Sequence, residues 1–269
     1  MTGPYFFVDN NGLRIYYLKN SFSGDAMSVK RLDKTIALHC NVSRKDARML
    51  IKSGAVKVNG AAVLRADAAV ETTADVIEVN GHTFELKEHL YLMMNKPAGV
   101  ITATSDANKQ TVIDIIPDRY ARKSLFPCGR LDRDTTGFLL ITDDGELSHR
   151  LMSPSHHVSK TYIARLDSLP ADGMKEKLES GITLADGTEC LPCKVKIYEE
   201  NGGVYSEITI TEGKYHQVKR MFAAAGSHVE KLKRIRIGSL SLDPALAEGE
   251  CREITEDELA LLFSENEEK

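Results

Sequence analysis

Apolar positions along the chain follow two different periods, and the changes between them divide it into elements. Leu32, Ile36 and Ala37 repeat at helical spacing. Asn41-Val42-Ser43 then breaks the run, and Ser43, three residues before Asp46, is placed to cap a second helix. In that helix Ala47, Leu50 and Ile51 form the apolar stripe and Gly54 supplies the stop. Ala55–Val58 and Asp75–Val79 read as short strands closed by the turn signals Asn59-Gly60 and Asn80-Gly81. Tyr91–Met94 is a strand ended at Pro97 and Gly99, Thr111–Ile116 a short helix stopped by Pro117, and Phe138–Thr142 an apolar strand. Glu146–Met152 predicts a helix, Lys160–Leu166 an alternating strand, and residues 168–203 a helix and hairpin insertion that says little about function. Val204–Ile210 is a further strand. Val218, Met221, Phe222 and Ala225 then recur at i, i+3, i+4 and i+7, so that helix buries one side. Val229, Leu232, Ile235 and Ile237 predict another buried strand, and Thr255 with Glu258 opens a last helix with capping-box spacing.

At 269 residues, 28% of them charged and 42% hydrophobic, the chain is long enough for two domains with cores of their own. No apolar run approaches the roughly 18 residues of a membrane span. The first residues carry Asp9, Asn10, Asn11, Arg14 and Lys19 among their aromatics and lack a secretory core, so a cytoplasmic protein with no membrane partner is expected. Five cysteines form no disulfide framework. Cys190 and Cys193 have CxxC spacing without a second pair or nearby histidines to complete a zinc site, so reduced, structural thiols are expected. The eight histidines show no metal spacing, and neither a metal nor a cofactor is expected.

The net charge of -4 hides an uneven distribution. Lys30, Arg31, Lys34, Arg44, Lys45, Arg48, Lys52 and Lys57 face only Asp33 and Asp46 between residues 30 and 57. Such a stripe reads equally as a solvated face or as a surface that neutralises phosphates. The second candidate is the glycine-bounded loop Gly129-Arg130-Leu131-Asp132-Arg133-Asp134-Thr135-Thr136-Gly137, which feeds straight into the apolar strand and sets Asp132 at the rim of a sheet. An Asp between arginines in a turn is also the usual recipe for a local ion pair or cap.

The run GRLDRDTTGFLLIT resembles the catalytic motif of pseudouridine synthases of the ribosomal small-subunit synthase A group. NKPAG at 95–99 resembles the family's first motif, KTY at 160–162 its tyrosine motif, and GKYHQVKRMFAAAG with HVEKLKRIRIG its third conserved region. RLDKTIALHCNVSRKDARMLIKSGAVKVNG resembles the S4-type RNA-binding module. The resemblance spans residues 28–262 and implies an α+β fold. A small S4-type αL RNA-binding domain (28–87) precedes a pseudouridine synthase catalytic domain (90–263) with a mostly antiparallel sheet flanked by helices. A leader (1–27) without assigned role and an acidic tail (264–269) complete the chain.

The resemblance also implies Asp132 as the nucleophile, Tyr162 as the active-site aromatic and Lys219 as the basic partner of Asp132, with Lys96 structural. Arg130, Leu232, Lys214, His216 and Gln217 would bind substrate, and Lys30, Arg31, Arg44, Lys45, Arg48 and Lys52 would bind RNA. Lys219 stands where many members of the wider family have arginine, so a bidentate grip on the carboxylate is not available. The expected partner is 16S rRNA or a small-subunit assembly intermediate, met by a monomer. A large-subunit rRNA target and a noncatalytic ribosome-assembly factor are the alternatives.

Overall fold

The computed structural model describes residues 7–8, 14–15, 29–72, 74–84 and 87–264. Most of the leader and residues 265–269 of the acidic tail lie outside them. The chain divides into two compact units, Met1–Lys87 and Glu88–Lys269.

In the first unit the short strands β1 (Phe7–Val8) and β2 (Arg14–Ile15) pair with each other. β3 (Val29–Arg31) runs directly into α1 (Leu32–His39), and α2 (Arg44–Lys52) follows, its Ser43 cap accepting from the Asp46 N–H. β4 (Val56–Val58), β5 (Ala61–Ala62), β7 (Ile77–Val79) and β8 (His82–Phe84) make an antiparallel sheet, while β6 (Ala69–Glu71) returns to pair with β3. Leu32 and Ile36 of α1 meet Ala47 and Ile51 of α2 over Val56 and Ile77, a small core drawn from the residues whose spacing predicted the helices.

The second unit is built on one large sheet. β9 (Tyr91–Lys96) and β11 (Thr136–Thr142) lie side by side antiparallel near its middle, and β10 (Phe126–Cys128) pairs with the distal half of β11. After α3 (Gly145–Met152) comes β12 (Lys160–Leu166), then α4 (Met174–Glu179) and the two-residue hairpin β13 (Ile182–Thr183) with β14 (Glu189–Cys190). β15 (Lys194–Glu200), β16 (Gly203–Ile210), α5 (Gln217–Ala224), β17 (Val229–Ile237), β18 (Leu240–Ser241), β19 (Cys251–Glu253) and α6 (Glu256–Leu261) complete it. The strand order is β15-β16-β12-β17-β11-β9-β19, antiparallel except where the first two residues of β11 pair parallel with β17.

The sheet is covered on both faces, which is why β9 and β11 are apolar at consecutive positions. Leu92, Met94, Leu139 and Ile141 face α5 and its Met221 and Phe222, while Met93, Phe138 and Leu140 face Leu151 of α3 and Leu262 beyond α6.

Three sequence expectations change. Thr111–Pro117 is a series of turns rather than a helix, because the Asp114 carboxylate takes both the Thr111 N–H and its hydroxyl and closes the chain locally. The last part of the supposed insertion, β15, is the edge strand of the main sheet. In β17 the inward positions are Leu232, Arg234 and Ile237, not Ile235. A register shift opposite Thr161/Tyr162 inserts an extra residue and resets the alternation.

Candidate active site

The loop between β10 and β11 owes its shape to its two glycines. Gly129 has φ +79°, and a Cβ there would fall 2.7 Å from the Met152 sulfur. Gly137 has φ +100°, and a Cβ would lie 2.2 Å from the Arg234 carbonyl oxygen, so the parallel contact of β11 with β17 requires its absence. Between them the loop is pinned from several sides. Thr102 donates its hydroxyl to the Leu131 carbonyl at 2.8 Å, and the Arg133 Nε donates to the Gly99 carbonyl at 2.9 Å. Fully buried Lys96 donates through Nζ to the carbonyls of Pro97 (2.9 Å), Arg133 (3.3 Å) and Thr135 (3.0 Å). Burial pushes the Lys96 pKa down to about 8, opposed by the charges of Asp134 and Asp132. The lysine of the NKPAG stretch therefore fastens the loop and does not reach into the pocket.

Asp132 emerges from this loop with its side chain a quarter exposed. Lys219 Nζ, from the first turn of α5, lies 3.3 Å from Oδ2, and His216 Nε2 lies 3.4 Å from Oδ1. Lys219 also reaches Asp134 at 2.6 Å, a shorter contact that holds the Asp134 carboxyl below its ordinary range. His216 caps α5 in the left-handed region at φ +47°, a backbone state uncommon outside glycine.

The Asp132 side of the loop opens into a pocket walled by Tyr162 of β12 and Leu232 of β17, both nearly buried, with Arg130, Lys214, His216 and Gln217 around it. Seven of the eight residues expected around the substrate thus line one pocket, and Lys219 joins them through Asp132. The Arg234 guanidinium carbon sits 6.0 Å from the centre of the Tyr162 ring, and its Nε donates to the Phe138 carbonyl at 2.7 Å. Exposed Arg130 makes no hydrogen bond or ion pair among the described residues.

Lys214 and Gln217 are less free than a substrate-binding role suggests. Glu212 accepts from Lys214 Nζ, from Gln217 Nε2 at 2.8 Å and from the Leu191 N–H at 2.9 Å, and Lys214 Nζ also donates to the Glu189 carbonyl. Arg220 pairs with Asp186. These bonds tie the β13–β14 hairpin to the pocket wall, so the segment that looked functionally silent buttresses the site. Cys190 and Cys193 beside it are free, buried thiols. Cys193 donates to the Leu178 carbonyl at 3.1 Å, and burial pushes its pKa up to about 12. Among the described residues no group of His, Cys, Asp and Glu side chains could hold a metal ion, and no helix is long and apolar enough to cross a membrane.

In the first unit the basic stripe is organised by an acid that the sequence shows only as a charge offset. Asp33, fully buried at the start of α1, accepts from Arg31 Nε (3.1 Å), Arg44 Nη2 (3.0 Å) and Arg48 Nε (2.9 Å). The three guanidinium side chains remain half exposed, gathered into one patch. The hydrogen bond from Arg31 leads in holding the Asp33 carboxyl far below its ordinary value. Lys45 and Lys52 of α2 extend outward without ion pairs among the described residues, and Lys30 lies on β3, half-buried.

The RNA pseudouridylate synthase family profile matches residues 90–224, and the S4 domain profile matches residues 30–76. The chain is 46% identical to the uncharacterized RNA pseudouridine synthase YtzG of Bacillus subtilis over 86% of its own length and 98% of that protein's. It is 42% identical, with the same coverage, to the ribosomal small subunit pseudouridine synthase A of Escherichia coli. A crystal structure of a pseudouridylate synthase superposes with a TM-score of 0.60 at 37% identity, covering 86% of this chain and 99% of that one.

Proposed function

Because the chain belongs to the RNA pseudouridylate synthase family and carries an S4 domain ahead of its catalytic unit, we propose that it converts one uridine of 16S rRNA to pseudouridine, acting as a cytoplasmic monomer on naked rRNA or on a small-subunit assembly intermediate. The observation that carries this reading is the placing of Asp132 between Lys219 and His216 at the mouth of a pocket walled by Tyr162 and Leu232. The small subunit is favoured over the large by the Escherichia coli relative, which is named for it.

The reaction breaks the bond from uracil N1 to the ribose C1′, turns the freed base and forms a bond from C5 to C1′; the C5 proton moves to nitrogen. Atoms and electrons balance within the nucleoside, so neither oxidant nor energy source enters. Asp132 is the nucleophile, at C1′ or on the uracil ring, or it assists loss of a ribose proton. Each route uses a carboxylate oxygen of Asp132, and Lys219 Nζ lies 3.3 Å from its Oδ2. A base stacked in folded RNA cannot meet this carboxylate, so the uridine is turned out into the pocket. Tyr162 then offers it a ring face, Leu232 packs on it, and Arg130 takes the adjacent phosphate or the emptied position.

The test incubates the purified protein with unmodified 16S and 23S transcripts and with small-subunit precursor particles, and maps pseudouridine in each. A single modified position in 16S rRNA is expected, absent with Asp132→Asn. Modification of 23S rRNA alone would move the substrate to the large subunit. Binding without product on any of the three would make the protein an assembly factor.

A further inference from the structure

Tyr215 stands in the turn ahead of α5, between the pocket-lining residues Lys214 and His216, and it is 73% exposed. Its ring is nevertheless in a defined place. It stacks on the His216 imidazole with centroids 3.8 Å apart and planes 19° from parallel. Its own carbonyl accepts from Arg220 Nη1 at 3.3 Å, and the backbone on either side is set by the bond from the Lys214 N–H to Gln217 Oε1 and by the left-handed turn at His216. One face of the phenol ring is covered by His216, whose Nε2 is 3.4 Å from Asp132, and the other is open.

We propose that Tyr215 is a stacking platform for a nucleobase of the RNA, the base next to the flipped-out uridine. The proposal rests on the reading of the pocket as a uridine site. A base that leaves a stack exposes the faces of its neighbours, and an aromatic ring already stacked on the pocket-lining His216 replaces one lost contact at little entropic cost. Exposed Arg130 and the Lys219 ammonium lie on the same Asp132 centre, where cations serve the backbone of the strand that carries both nucleotides. In this arrangement Tyr162 takes the target base and Tyr215 its neighbour, while His216, stacked on Tyr215 and 3.4 Å from Asp132, links the platform to the carboxylate.

The experiment uses the full chain and an unmodified 16S rRNA transcript. Affinity is measured in an Asp132→Asn background, so that no turnover intrudes, for Tyr215→Ala, Tyr215→Leu, Tyr215→Phe and Tyr215→Trp. Single-turnover rates are measured for the same four substitutions on the active protein. Loss of the ring in the Ala and Leu variants is expected to weaken half-saturation about tenfold, and Phe and Trp to recover most of that loss. The comparison of Phe with Leu decides the matter even if the Ala variant fails to fold, since both fill similar space and only one stacks. Equal behaviour of Phe and Leu overturns the proposal, as does an Ala variant that folds and binds like the parent. A gap between Phe and Leu in affinity, in a protein whose active form makes no pseudouridine, would leave the platform standing and remove the proposed reaction.

Discussion

Asp132 is held by two nitrogens at nearly equal distance, one on each oxygen, while Lys219 divides its charge between Asp132 and the closer Asp134. The sequence names Asp132 and Lys219 through motif resemblance, but nothing in the spacing announces that Asp134 competes for the same ammonium. Removing the carboxylate and removing its partner should therefore have different signatures. Asp132→Asn keeps the shape of the loop, so 16S rRNA affinity is expected to stay within about twofold while product formation falls below detection. Lys219→Met takes away the charge that, in the proposed reaction, orients Asp132. It is expected to lower the single-turnover rate by about 10²-fold, within the range seen when one electrostatic partner of a reacting group is lost. Unchanged turnover in Lys219→Met would mean that His216 alone suffices to hold Asp132.

The elements that sequence periodicity foretells best are those with one covered face, namely α1, α2, α5 and β12. It fails where a local side chain overrides the period, as Asp114 does in the turns at 111–116, and where a bulge resets it, as in β17, where the extra residue Ile235 separates the inward Arg234 from the inward Ile237. The bulge and Gly137 together bring β17 against the Asp132 loop. Gly137→Ala would force a methyl group onto the Arg234 carbonyl and strain the backbone as well, so it is expected to cost about 2 to 5 kcal/mol. A lower urea midpoint with unchanged slope checks this.

Asp33 is the other residue hidden from pattern reading, since its meaning depends on three arginines, one beside it and two on the next helix. Its carboxyl is held below the value it has in the unfolded chain, so its stabilising contribution is fully present above that unfolded value, about 3.9, and is lost as pH falls through the lower folded value. The stability difference between the parent and Asp33→Asn should accordingly be flat from neutral pH to about pH 5 and shrink below about pH 4. Denaturant melts of both proteins across that window measure it.

Across the whole molecule, the proposed reading divides charge by task. The chain is net acidic at -4, yet its first unit gathers an arginine patch around one buried carboxylate, while in the second Lys219 lies against Asp132. On this division the S4 unit supplies affinity through phosphates without choosing a sequence, and the pocket supplies the choice of base and the chemistry. Lys45 and Lys52 test the division best because, unlike Arg31, Arg44 and Arg48, they make no ion pair among the described residues: both are exposed on α2, outside the core and the Asp33 cluster. The double substitution Lys45→Ala, Lys52→Ala is expected to weaken binding to 16S and unrelated RNA alike. It should also reduce the slope of log affinity against log salt by roughly 1.4 to 1.8, the release of two counterions. The loss should show in half-saturation and not in the rate at saturating protein. A salt slope that stays at the parent value would place the phosphate contacts elsewhere on the first unit, and a loss confined to 16S rRNA would mean that this surface reads structure in its target as well as charge.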